Sequence, residues 1–97
     1  MADTSNRRLS IARIISTKLD GHHTEVGDYG NTELSARVWS KGKAVRVYVD
    51  ARYISRDGTI DTRLRGNGYI DVLERGVAYA LNNDGNEIRS LVEDIIA

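Results

Sequence analysis

The side chains best suited to chemistry stand at His22-His23-Thr24-Glu25, with Asp28 close behind. Imidazole and carboxylate together suit zinc or another transition metal. Neighbouring positions on a strand project to opposite faces, so His22 and His23 could converge on one ion only from a loop. A solvated loop is the favoured account, and no metal or other cofactor is expected. Lys41-Gly42-Lys43 lacks the upstream glycine of a phosphate loop, and Ala44 stands where that motif needs Ser or Thr. Gly27-Asp28-Tyr29-Gly30 and Gly66-Asn67-Gly68 are too short for a dinucleotide fingerprint. Asp57 and Asp61 could be imagined as an acid–base pair. Asp57, however, precedes Gly58, where an aspartate has a conformational role. There is no cysteine, hence no thiolate nucleophile and no Cys-bound zinc. The expectation is a protein that is not an enzyme.

A different group of residues stands out by type. Arg37, Trp39, Arg46, Tyr48, Arg52, Arg63 and Arg65 fall at alternating positions along three segments. Whether they share a surface depends on the elements that carry them. Leu9, Ile11, Ala12, Ile14, Ile15 and Leu19 recur at helical spacing, with Thr4 or Ser5 as N-cap and Asp20-Gly21 as the stop. Residues 22–29 read as a short strand, and Asp28 to Asn31 as a turn. From Thr32 to Trp39, Leu34, Ala36 and Val38 alternate with Glu33, Ser35, Arg37 and Trp39. Lys41-Gly42-Lys43 turns the chain. Ala44 to Ile54 is the clearest strand: Val45, Val47, Val49, Ala51 and Tyr53 against Arg46, Tyr48, Asp50, Arg52 and Ile54. Asp57-Gly58 marks a hairpin, and Thr59 to Arg65 alternates again. Gly66-Asn67-Gly68 is read as the end of the sheet. Ile70, Leu73, Val77 and Leu81 then follow i, i+3, i+7, i+11, which predicts a helix with Gly76 inside it. Asn82 to Gly85 breaks that helix. Ile88, Leu91, Val92, Ile95 and Ile96 predict a last amphipathic one.

The expected fold is therefore α+β, a single domain over residues 1–97. It is a two-layer, four-stranded antiparallel meander, with one N-terminal and two C-terminal helices packed on one face. Helices would cover Leu34, Val38, Val45, Val47, Val49, Ile60 and Leu64. The opposite face would show Arg37, Trp39, Arg46, Tyr48, Asp50, Arg52, Asp61, Arg63 and Arg65. A solvated sheet face does not ordinarily carry a lone Trp among arginines.

Composition narrows what could use such a face. The chain has 97 residues, 14 Lys+Arg balanced by 14 Asp+Glu, and no Phe. Aliphatic side chains must supply its core. Overall neutrality argues against a globally basic nucleic-acid binder. The balance is uneven, though: residues 31–68 carry eight basic and four acidic side chains, and 69–97 carry two and six. No apolar run approaches the ~18 residues of a membrane span, and Met1 to Ser10 has no apolar signal core. A cytoplasmic chain is expected.

Three uses of the face compete. Trp, Tyr and Arg dominate protein-binding hot spots, so a protein partner leads, with an adaptor or inhibitor role. Single-stranded nucleic acid is the alternative, with bases stacked on Trp39 and Tyr48 and arginines on phosphates. The third account is internal, with Arg37, Arg46 and Arg52 paired to Asp50, Asp61 and Glu33. A homodimer through an edge strand or the Trp39 face is a further expected partner mode. The order of a Lys-Gly-Lys hairpin, Arg-rich strands and a C-terminal amphipathic helix over residues 40–97 is similar to small coactivator-type single-stranded-DNA-binding domains. That resemblance lies in element order, without a shared motif, and implies the nucleic-acid alternative.

Overall fold

The computed structural model describes residues 4–25, 31–54, 60–83 and 85–97, with backbone alone at 4–5, 24–25, 60–65, 82–83 and 85–88. The chain opens with helix α1 (Thr4–Leu19), followed by strands β1 (His23–Glu25), β2 (Asn31–Lys41), β3 (Ala44–Ile54), β4 (Ile60–Val72) and β5 (Val77–Asn83), and closes with helix α2 (Gly85–Ile96). The strands form one antiparallel sheet in the order β1-β2-β3-β4-β5. Among the described residues the fold is thus α+β, with one N-terminal and one C-terminal helix where two C-terminal helices are expected.

The helix expected over residues 70–81 does not form. Its first part continues β4, its last part is β5, and Leu73 to Gly76 joins them as a tight turn. The turn is closed by the Leu73 N–H donating to the Gly76 carbonyl at 3.0 Å. Gly76 has φ +81°, a conformation no right-handed helix contains. A four-residue turn between two period-two runs places Ile70, Val77 and Leu81 at spacings that imitate a helix. The true alternation is Ile70 and Val72, then Val77, Tyr79 and Leu81, all on one face. Gly66 and Gly68 do not end the sheet either. Gly68 pairs with Leu81, and a Cβ there would overlap the Ala80 carbonyl oxygen and lie 2.7 Å from Leu81 Cα. Glycine is what lets these two strands close up.

At the other hairpin, Lys41 pairs with Ala44, and Gly42 (φ +59°) occupies the first position of a two-residue loop. The Asp57-Gly58 turn and the turn after Asp28 lie outside the described residues.

Both helices cover the same face. Ala12, Ile15 and Leu19 of α1 and Val92 of α2 are buried against Leu34, Val45, Val47, Val49, Ala51, Ile70 and Val72. Each Val, Leu or Ile side chain among them contributes about 1.5–3 kcal/mol when fully buried, so this layer is the fold's main support. Ile14, expected in the helix stripe, is 59% exposed. It borders an apolar groove of about 530 Å³ between α1, β5 and α2. No helix among the described residues is long and apolar enough to cross a membrane.

Candidate functional site

Both helices lie on one side, and no described helix covers the opposite side of the sheet. Side chains directly across an antiparallel pair share a face, so the strand registers define rows across it. One row runs Arg37, Tyr48, Tyr69, Ala80; the next runs Trp39, Arg46, Asp71, Ala78. A third runs Ser35, Asp50, Asn67, Asn82 at the backbone level.

Trp39, Tyr48 and Tyr69 touch in sequence. Trp39 and Tyr48 meet edge to face, with centroids 6.0 Å apart at 89°, and Tyr48 and Tyr69 are 5.7 Å apart at 58°. These are the offsets at which ring edges meet ring faces favourably. Arg46 lies among them, its guanidinium carbon 4.2 Å from the Tyr69 centroid and 5.5 Å from that of Trp39. Its Nε donates to Asp71 Oδ1 at 2.7 Å. Hydrogen bonding to Asp71, and next to Tyr48, outweighs desolvation and holds the Arg46 pKa above the ordinary guanidinium value. Arg46 is therefore a permanent cation fixed in place by a carboxylate and two rings. Arg37 lies over the other side of the cluster, 5.3 Å from the Tyr48 centroid.

Carboxylates also meet two further nitrogen-bearing side chains. Arg52 Nη1 is 3.6 Å from Asp50 Oδ2, and His23 Nε2 is 3.2 Å from Glu33 Oε1. His23 thus faces Glu33 across the β1–β2 pair, not a ligand set with His22. Among the described residues no group of three metal-ligating side chains assembles.

The structure therefore brings Arg37, Trp39, Arg46, Tyr48 and Arg52 onto one surface, with Trp39 half-buried rather than in the core. Arg63, Arg65 and Asp61 have side chains outside the described residues. The sheet register also shifts between Ala51 and Arg52, where Ala51 pairs with Gly66 but Arg52 with Leu64, so the simple alternation does not carry through that stretch. Sequence reasoning misses Tyr69 and Asp71 because it assigns residues 70–81 to a helix. Their alternation with Ile70 and Val72 is the signal that could have found them. Of the internal pairings expected for Arg37, Arg46 and Arg52, Arg52 lies near Asp50, while Arg46 pairs with Asp71, a carboxylate outside the expected set.

Comparison with protein-family models, with curated proteins and with solved structures finds no match.

Proposed function

We propose that this chain is a non-enzymatic binding protein that holds another protein against its open sheet face, in the manner of an adaptor or inhibitor. One observation carries the reading: Trp39, Tyr48 and Tyr69 form a continuous aromatic surface whose central cation, Arg46, is already fixed by Asp71. Side chains ordered before binding lose little freedom on binding, and amphipathic rings beside arginine are the usual anchors of protein interfaces. The charges favour the same class of partner. Arg46 and Arg52 are matched by Asp71 and Asp50 on the face itself, so these two arginines are less available to a phosphate backbone.

Single-stranded nucleic acid on the same face is the second reading. Arg37 favours it: the guanidinium lies over Tyr48, and no carboxylate is paired with it among the described residues.

The test is affinity capture from native lysate, with and without nuclease. The expected outcome is a nuclease-resistant protein partner whose affinity falls by about 2 kcal/mol or more in Trp39→Ala, with the circular dichroism unchanged. Capture that disappears with nuclease, together with oligonucleotide binding that weakens steeply with salt, would establish the second reading instead. Unfolding of Trp39→Ala would assign Trp39 to structural support and remove the proposed anchor.

A further inference from the structure

The outer edge of β2 is covered for part of its length only. Asn31, Thr32 and Glu33 pair with β1. Leu34 donates its N–H to the His22 carbonyl at 2.9 Å, and its own carbonyl accepts from Gly21 N–H at 2.8 Å. The Ala36 N–H donates to Asp20 Oδ1 at 3.0 Å, a side chain standing in for a strand. There the cover stops. Antiparallel alternation turns the N–H and C=O of Val38 and Ser40 the same way as those of Leu34 and Ala36, away from β3. Among the described residues no backbone partner reaches them. The strand nevertheless continues to Lys41.

The side chains along this stretch specify what would fit. Arg37, Trp39 and Lys41 lie toward the open face; Val38 is half-buried on the helix face. An added strand would set one set of alternate side chains beside Arg37 and Lys41 and the other set beside Val38. A second copy of the chain fits poorly. Antiparallel self-pairing of 37–41 over all five positions puts Arg37 opposite Lys41 twice, and like charges directly opposed are destabilising. An acidic strand meets no such penalty.

We infer that the free edge of β2, Arg37 to Lys41, takes an extended segment of the partner protein that alternates acidic and apolar residues, added as a sixth strand beside Trp39. This rests on the face being the binding surface and names the partner's chemistry there.

The chain has a single tryptophan, so its emission reports on Trp39 alone. The probe is an acetylated, amidated peptide of four Glu-Val repeats at neutral pH. A saturable change in Trp39 emission is expected. Binding should weaken at least about tenfold for the Lys-Val counterpart and for Ser40→Pro, which removes one outward N–H that proline tolerates on an edge. Two N-methylated peptides, one blocked at every Glu and one at every Val, supply a test that does not depend on Ser40→Pro folding. Only one set of amides can face β2, so one peptide should lose binding and the other keep it. Equal behaviour of the two overturns the inference, as does failure of the Glu-Val peptide to bind. If binding is lost in Trp39→Ala but unaffected by Ser40→Pro and by both methylation patterns, the edge assignment falls and the face reading stands. If the peptide fails while lysate capture still depends on Trp39, the same conclusion holds.

Discussion

Arg46 and Tyr79 show how differently two polar side chains behave on the two sides of one sheet. On the open side, Arg46 has both a carboxylate and rings, and its charge is reinforced. On the helix side, Tyr79 lies half-buried beneath α2, with the Arg89 guanidinium 5.3 Å from its ring centroid. Burial, and then the charge of Glu93, raise its pKa from the ordinary 10.0, while Arg89 works against the shift. The consequence is a pH dependence of definite sign. A phenol whose folded pKa lies above its unfolded value gives its full contribution below about pH 10, and that contribution is lost as pH rises from the unfolded value through the folded one. Urea midpoints measured from pH 8 to 11 should therefore fall at the alkaline end, and Tyr79→Phe should fall less steeply than the parent chain. Parallel curves for the two would mean that Tyr79 ionises alike in both states.

At the scale of elements, the β4–β5 hairpin is the part that glycine decides. Gly68 has φ +155° and no room for a Cβ against Ala80 and Leu81. Gly68→Ala must both strain the backbone and part the strands, and a loss of about 3 kcal/mol is expected in chemical denaturation. Gly21, just past α1, offers the contrast. It has φ +80°, but nothing lies within 4 Å of the place a methyl group would take, so Gly21→Ala should cost only about 1 kcal/mol. Equal losses at the two sites would show that β4 and β5 approach less closely than this. The same hairpin matters to the aromatic face, because it delivers Tyr69 and Asp71 to positions beside Tyr48 and Arg46.

Over the whole molecule, the described residues extend 51 × 21 × 20 Å, an elongated body set by its long strands. The helices shield one broad side, and the Trp39 surface occupies the other. The stretch of β2 edge that no described strand covers borders that surface, so exposure and solubility have to be reconciled at one place. Lysine on an edge strand is a known guard against edge-to-edge association. Lys41→Glu would convert both Arg37–Lys41 oppositions of a self-paired edge into opposite-charge pairs. Sedimentation equilibrium should then show dimer forming at lower concentration for Lys41→Glu than for the parent, with high salt reducing the difference. An unchanged monomer–dimer balance would mean that charge does not control this edge. The homodimer expected from sequence retains the Trp39 face as its alternative route.

The sequence alone determined the α+β class, helix α1, the β2–β3 hairpin and the sharing of one face by Arg37, Trp39, Arg46 and Tyr48. These follow from local periodicity, and a two-residue repeat of eleven positions in β3 leaves no second interpretation. The C-terminal part was ambiguous for a physical reason. Around Gly76, two short strands and a four-residue turn reproduce the spacing of a helix stripe, and local pattern cannot separate them. Only pairing of β5 with β4 decides it, since the Gly68–Leu81 approach and the Ile70–Tyr79 pair join residues distant along the chain. For the same reason, only the tertiary structure could add Tyr69 and Asp71 to the site. Their role comes from the strand beside them, and the register that sets that neighbour is fixed by the packed sheet as a whole.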